Sequence, residues 1–286
     1  MHSSRAWSAS TLRTFCLMLV LSMSIMATAA HAADEGEAAR AILVNSGDAV
    51  ISVKATVKVR VIVGGSEQMK EENEVETLAT VIDPSGLAVL SCSSVDPTRI
   101  YSGLLKKLKA SGEGPEVDIK SEIAGLTMAM PDGQEIPAKV ILRDAYLDLA
   151  FIRPAEKLKK PAANIDISGE SKPNVMDTVL VLGRLDKAEG RSPSVSLNRI
   201  EAIITLPRKV YVADSETLMS RLGAPVFSLD GKLVGISLLR ITKSTEKSQM
   251  GSLLSGGMNA LGIMPVILPA GEVATVAKQA MEIKDK

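Results

Sequence analysis

The sequence predicts an all-β protein, a sandwich or a barrel, with one helix at its carboxyl end. Short apolar runs recur along the chain, separated by turn-forming pairs, with little helical periodicity between them. Short strands at this spacing are typical of β-sandwiches and barrels. Residues 156–173, rich in Lys, Pro, Ala and Ser, divide the pattern and predict a linker. We therefore expect one β-lobe over residues 42–155 and a second lobe with the terminal helix over residues 174–286.

The clearest strand of the first half covers residues 49–63, where apolar and charged residues alternate before Gly64 and Gly65. Alternation with a period of two predicts a half-buried strand, and the glycine pair predicts a turn. The charged residues 67–76 are expected to form a hairpin loop and the start of the next strand. Further strands are predicted from the apolar runs at residues 80–82, 87–90, 136–142 and 147–152.

The second half repeats this pattern. Asp230-Gly231 separates two of its apolar runs and is a strong hairpin signal. The runs lie at residues 178–182, 195–206, 210–213, 226–229 and 233–241. Residues 99–110 are basic and amphipathic and predict a short surface helix. Residues 269–283 begin with proline and carry apolar residues at helical spacing, which predicts the terminal helix.

The first thirty or so residues have the features of an export signal. Arg5 and Arg13 precede an apolar stretch over residues 15–26, and Ala30-His31-Ala32 is a small-residue cleavage site. We expect a cleaved signal peptide over residues 1–32, with an uncleaved anchor as the alternative, and a protein that is periplasmic or extracellular. The apolar stretch is shorter than the about 20 residues that a spanning helix needs. No second stretch approaches that length, so no membrane span is expected after signal removal.

Composition excludes several function classes. Lys and Arg together number 33, as do Asp and Glu, so the chain has no basic field that would attract nucleic acid. Signal removal would take His2 and His31, the chain's two histidines, and would leave Cys92 as the one cysteine. A single cysteine forms no internal disulfide. The chain offers no His/Cys cluster, no calcium loop and no Gly-rich phosphate loop, so we expect neither a metal nor a cofactor.

Several segments, in order along the chain, resemble the trypsin-like serine proteases, and most closely their exported HtrA/Deg-type branch. The matching segments are residues 77–83 (TLATVID), 87–95 (LAVLSCSSV), 138–151 (AKVILRDAYLDLAF), 179–183, 214–226 (DSETLMSRLGAPV), 230–236 and 261–265. The resemblance implies two six-stranded antiparallel β-barrels followed by the C-terminal α-helix. It also implies a chain without room for the PDZ domain that usually follows in that branch.

The same resemblance places the catalytic triad of the family on residues that lack its chemistry. The histidine position falls on Ser93, with Ser94 next to it, the acidic position on Asp148, and the nucleophile position on Leu222. A serine hydroxyl titrates far above neutral pH and cannot act as the general base, and leucine has no atom that attacks a carbonyl. We expect a degenerate triad, with Asp148 kept as a buried acceptor for Ser93, Ser94 or nearby backbone N–H groups.

Substitute nucleophiles are weaker hypotheses. Cys92 lacks a neighbouring histidine that would form a thiolate, and is expected to be a small buried residue. Ser255-Gly256-Gly257 imitates the nucleophile motif, but it lies in a Ser/Gly-rich loop. Composition does not exclude a Ser-Lys dyad, although nothing pairs a particular serine with a particular lysine.

Family members hold substrate as a strand added to the edge of the second barrel, and this binding needs only backbone groups. The resemblance places that edge at Leu238, Leu239 and Arg240. It places Leu222 beside the edge as an apolar floor, with Gly223 next to it. We therefore expect an extended peptide or protein segment as partner. The competing interpretation is that residues 242–257 cover this edge, as natural edges are usually protected.

Together these features predict an exported, non-catalytic serine-protease homologue that acts as a peptide- or protein-binding or scaffolding module. The first alternative is a trypsin-like serine endopeptidase with an unorthodox site. The second is a structural envelope protein without a peptide site. The sequence leaves the partner and the oligomeric state open.

Overall fold

The computed structural model describes residues 34–96, 98, 100, 117–241 and 262–283. The predicted signal, the predicted helix over residues 99–110 and the loop over residues 242–257 therefore lie largely or wholly outside the described residues. The described chain begins with a helix, α1, over residues 34–46, which continues into a 3₁₀ turn at Gly47–Ala49. No helix in the described part of the chain has both the length and the apolar character needed to cross a membrane.

The first lobe is a closed six-stranded antiparallel barrel, as predicted. Its strands are β1 (Val50–Val63), β2 (Ser66–Val81), β3 (Ala88–Ser91), β4 (Val117–Ala129), β5 (Glu135–Asp144) and β6 (Leu149–Pro154). They follow the order β1-β2-β3-β6-β5-β4, and a short helix, α2 (Cys92–Val95), follows β3. The apolar face of each strand points into the barrel, where Ile51, Val53 and Leu90 are completely buried.

The second lobe is a seven-stranded sheet. Its strands are β7 (Thr178–Arg184), β8 (Pro193–Arg199), β9 (Ala202–Ile204), β10 (Val210–Val212), β11 (Pro225–Ser228), β12 (Leu233–Ile241) and β13 (Ile263–Pro269). Two helices complete the lobe: α3 (Ser215–Ser220), and α4 (Ala270–Glu282), which is the predicted terminal helix. The strand order is β8-β7-β11-β12-β13-β10-β9.

The expectation of a second closed six-stranded barrel is therefore not met in the described residues. The chain switches partners between β8 and β9, where the N–H of Ile200 donates to Asp177 and the N–H of Glu201 donates to Val212. After this switch β9 pairs with β10, and no ladder joins β9 back to β8. The second lobe keeps two edge strands for that reason.

One other strand prediction changes. Residues 67–76 are not a loop, because Gly64 and Gly65, both with positive φ, form the whole turn and β2 begins at Ser66. The charged side chains of residues 67–76 are exposed because this end of β2 lies outside the packed core. The sequence analysis also did not predict α1, α3 or β4.

Residues 156–173 contain no helix or strand. The segment is nevertheless fixed at several points. The N–H groups of Ala162 and Ile165 donate to Pro84 and Val81 in the first lobe, and the N–H of Ser171 donates to Leu233 in the second. The side chains of Ile165 and Ile167 are buried. The segment thus packs across both lobes.

One hydrophobic cluster belongs to both lobes. It joins Val89 and Phe151 of the barrel to Leu180 and Leu268 of the second sheet and to Val273 of α4. Ile42 of α1 is buried in the same cluster. Because the two lobes share this core, they hold fixed positions relative to each other.

Candidate functional site

Asp148 lies at the junction of the lobes and is almost completely buried, with 1% of its surface exposed. Its carboxylate accepts four hydrogen bonds from donors in the described part of the chain. Oδ1 accepts from the N–H and the hydroxyl of Ser93, at 2.8 and 2.6 Å. Oδ2 accepts from the hydroxyl of Ser91 at 2.6 Å and from the N–H of Leu239 at 2.9 Å. A buried carboxylate needs several donors, and these four satisfy it.

Local backbone geometry places this carboxylate. Asp148 has a φ of +62°, in the left-handed region, which aspartate tolerates better than most residues. This conformation ends the turn before β6. The carbonyl of Asp148 accepts from the N–H of Cys92 at 2.8 Å. Backbone and side chain together therefore hold the start of α2 against the turn.

Leu222 and Ser94 both line a cleft of about 270 Å³ between the lobes. The cleft is lined by Ser52, Glu76, Thr77, Leu78, Ser94, Arg184, Leu185, Asp186, Met219, Ser220 and Leu222. Of the two adjacent serines of α2, Ser94 is the one that lines this cleft. Ser93 is buried, and its hydroxyl donates to Asp148.

Gly223 connects the two lobes at the floor of the site. Its φ is +86°, and a Cβ there would lie 2.1 Å from the carbonyl oxygen of Leu78, so only glycine fits. Its N–H donates to Ser237 at 2.7 Å, and its carbonyl accepts from the hydroxyl of Thr80 at 2.7 Å. Because both backbone groups are engaged within the protein, Gly223 shapes the site but offers a peptide neither of them.

The residue before Leu222 is turned away from the cleft. Arg221 is half-buried and donates from Nη1 to the carbonyl of Val181 at 2.9 Å. Burial lowers the pKa of the Arg221 guanidinium. The space beside Gly183 accommodates this side chain, because a Cβ there would lie 3.0 Å from Cδ of Arg221. Arg221 therefore stabilises the second sheet and does not reach the reacting position of the family.

The backbone of β12 alternates between two neighbours. The N–H of Ser237 donates to Ala224 and its carbonyl accepts from Gly223, so the backbone groups of Ser237 point to the side of β11. In a regular strand the backbone groups of Leu239 and Ile241 point the same way, and those of Leu238 and Arg240 point to β13. Asp148 takes the N–H of Leu239. The carbonyl of Leu239 and the groups of Ile241 face the same side, where no described strand pairs with them, and this is called the open side below.

Beside this open side lies a groove of about 490 Å³, the β12 groove. It is lined by Tyr146, Leu147, Pro207, Arg208, Val210, Leu238, Leu239, Arg240, Ile241, Val266 and Leu268. The three β12 residues that the sequence analysis expected at a peptide site are thus brought together here. Leu222 belongs to the other cleft, so the apolar floor of the groove consists of other side chains.

The rim of the β12 groove is aromatic and cationic. The guanidinium of Arg208 lies 4.5 Å from the ring centroid of Tyr146, and Arg240 donates to the carbonyl of Leu206 at 3.0 Å. Tyr146 is 70% exposed and Leu206 is 78% exposed. No carboxylate is among the described residues that line the groove.

The described part of the chain contains no group of three or more His, Cys, Asp or Glu residues that could hold a metal ion. Cys92 is a buried cysteine that forms no disulfide, packed in the barrel core with Leu90 and Val95. It is the first residue of α2 and lines neither the cleft nor the groove described above.

The fold and the position of the cleft agree with the comparison to known families. The family model of the trypsin-like peptidase domain matches residues 77–236, which is more than half of the chain. The chain therefore belongs to the trypsin-like peptidase family. No curated protein matches it. Among solved structures, the apo form of the MamO protease domain from Magnetospirillum magneticum is 13% identical, with a TM-score of 0.47, and the alignment covers 84% of this chain and 98% of that one.

Sequence reasoning missed two of the groups that hold Asp148: the hydroxyl of Ser91 and the N–H of Leu239. Ser91 lies two residues before Ser93, at the end of a strand, and this spacing was a usable signal. The hydrogen bond from the N–H of Leu239 to the carboxylate of Asp148 joins residues that are 91 positions apart in the sequence. No local pattern in the sequence encodes such a contact.

Proposed function

We propose that this protein is an exported, non-catalytic member of the trypsin-like family, most similar to the HtrA/Deg-type branch, that binds an extended segment of a partner protein. The observation that carries the proposal is the set of four hydrogen bonds at Asp148. In an active triad the buried aspartate orients a histidine. Here the hydroxyls of two serines and two backbone N–H groups among the described residues donate to it instead.

The residues at the cleft support the loss of catalysis. Acyl transfer needs a nucleophile and a group that takes its proton near neutral pH. Leu222 supplies neither, and residues 34–283 contain no histidine. Ser94 and Ser220 are hydroxyls in the cleft, but no lysine is among the described residues that line it, which speaks against a Ser-Lys dyad.

The β12 groove supports the binding role. It combines an apolar interior with open backbone groups at Leu239 and Ile241, the two components that strand addition uses. Burying one large apolar side chain of a partner there would contribute about 1.5–3 kcal/mol. The arginines at the rim favour a partner segment with an acidic residue or a carboxylate near that side chain.

The test is a peptide-array screen with purified protein, followed by anisotropy titration of the best apolar-acidic peptides. We expect saturable binding that falls about tenfold in Tyr146→Ala and in Arg240→Ala, since each removes one contact of the rim. Val44→Ala is the matched control, because Val44 is 84% exposed and does not line the groove. Absence of saturable binding to any peptide would favour the structural envelope protein and reject this role.

A further inference from the structure

Strand β2 has a long edge without a strand partner in the described residues. β2 has 16 residues and pairs with β1 along its length, but β3 pairs only with Thr80 and Val81. On the far side of β1, β4 reaches β5 only at Thr127–Ala129. The outer parts of β1, β2 and β4 therefore form a three-stranded ribbon that extends past the closed barrel, with β2 at one edge.

The hydrogen bonds at the inner end of β2 show which backbone groups face this edge. The N–H of Ile82 donates to Leu87 on the side of β3, whereas the carbonyl of Val81 accepts from Ile165 on the other side. The register with β1 is regular from Thr80 back to Met69. By alternation the N–H and C=O groups of four residues point to the free edge: Lys70, Glu72, Glu74 and Glu76.

The position of Leu78 agrees with this alternation. Its carbonyl oxygen faces Gly223, on the same side as the free edge. Glu76, Thr77 and Leu78 line the cleft that contains Leu222. The free edge of β2 is therefore continuous with the cleft between the lobes, and a strand added along it would point into that cleft.

The charge along the edge is strongly acidic. Residues 67–76 contain five glutamates and one lysine. Glu72 lies 3.8 Å from Lys58, and Glu76 lies 2.7 Å from Arg191. Glu67, Glu71 and Glu74 have no ion-pair partner among the described residues, and residues 66–74 are all exposed.

We propose that the free edge of β2 is a second interaction surface, which takes an extended basic segment of a partner protein as an added strand. The unpaired backbone groups supply the hydrogen bonds, and the glutamates select for lysine and arginine. A second copy of the chain fits less well, because its own β2 would bring further glutamates to this edge. This surface is separate from the β12 groove and does not depend on it.

The probe is a fluorescein-labelled peptide of about ten residues in which lysine and valine alternate, with the glutamate–valine peptide as its acidic counterpart. We expect saturable binding of the basic peptide, weakened by salt, and none of the acidic one. Glu74→Pro removes one outward N–H and leaves the pairing with β1, as proline is accepted at a free edge. It should weaken binding at least tenfold.

Glu74→Gln is the matched control, since it removes the charge and keeps the N–H. It should weaken binding about threefold, and circular dichroism should show both variants folded. Tyr146→Ala should leave this binding unchanged, which separates the β2 edge from the β12 groove. Equal weakening by Glu74→Pro and Glu74→Gln would contradict strand addition, and absence of saturable binding would contradict the surface altogether. Self-association abolished by Glu74→Pro would assign the edge to a second copy and overturn the proposal.

Discussion

Asp148 connects three parts of the chain that are distant in sequence. Its carboxylate binds Ser91 at the end of β3, Ser93 in α2 and Leu239 in β12. The first two belong to the barrel and the third belongs to the second sheet. Asp148 is therefore a structural link between the lobes.

The structural role of Asp148 can be measured by substitution. Asp148→Ala leaves the N–H groups of Ser93 and Leu239 buried without an acceptor and places alanine at a positive φ. Each buried unsatisfied donor costs about 1–3 kcal/mol, so we expect the free energy of unfolding to fall by about 3–6 kcal/mol. Asp148→Asn keeps one acceptor oxygen, and asparagine tolerates the same φ. Its free energy of unfolding should therefore fall by about half as much as that of Asp148→Ala.

Urea unfolding of the three proteins measures these differences. Asp118→Ala serves as the control, since Asp118 is exposed on β4, and should change the free energy of unfolding by less than about 0.5 kcal/mol. An Asp148→Ala protein as stable as the control would mean that the hydrogen bonds of Asp148 do not stabilise the fold.

At the scale of single residues, sequence reasoning reached part of the site. The hydrogen bond between Asp148 and Ser93 was among the expected ones, because a buried carboxylate near a strand end needs local donors. Ser94 was an equal candidate from sequence, yet it lines the cleft. The direction of a side chain within α2 separates these two serines, and adjacent positions in the sequence do not reveal it.

At the scale of elements, the turn between β7 and β8 reaches across to the first lobe. Arg191 in this turn donates from Nε to Glu76 of β2 at 2.7 Å and lies 3.7 Å from Glu135 of β5. Lys54 of β1 binds the same Glu135 at 2.6 Å. Arg184, at the end of β7, donates to the carbonyls of Val50 and Gly47. The turn therefore holds the second sheet against the barrel.

This contact should depend on pH. The hydrogen bond from Arg191 lowers the pKa of Glu76 below its usual value of 4.5. A carboxylate whose pKa is lower in the folded protein than in the unfolded chain stabilises the folded protein at pH values above its unfolded-state pKa. This stabilisation is lost as the pH falls through the folded-state pKa. Glu76→Gln should thus lower the free energy of unfolding at pH 7 by less than ~1 kcal/mol, because the pair is partly exposed.

Urea unfolding of wild type and Glu76→Gln at pH 7 and at pH 3 tests this expectation. The difference in the free energy of unfolding between wild type and Glu76→Gln should be smaller at pH 3 than at pH 7, and smaller in 1 M salt. Glu72→Gln is the matched control on the same strand, since its pair with Lys58 is longer and exposed. A difference that grew on acidification would assign the stabilisation to another group.

Elements with a strong local pattern were predicted well, and the others were not. The alternation in β1, the Asp230-Gly231 turn and the apolar spacing in α4 each predict an element that the structure contains. Residues 67–76 were expected to start as a loop because charged residues usually mark loops. Their strand is instead imposed by the two-glycine turn and by pairing with β1.

At the scale of the whole molecule, the two lobes share one hydrophobic cluster, and Gly223 brings the second sheet within contact of Leu78. Family membership could be predicted because several weak motifs occurred in the right order. The open second sheet could not, because it depends on hydrogen bonds at Ile200 and Glu201 that no motif encodes.

The proposed function requires that this protein performs no acyl transfer. Its most direct test is labelling of the purified protein by a fluorophosphonate probe, with casein hydrolysis measured in parallel and trypsin as the positive control. We predict no labelling and no hydrolysis above that of heat-unfolded protein. Labelling of the folded protein that disappears in Ser94→Ala or Ser220→Ala would contradict the claim and identify the protein as an endopeptidase.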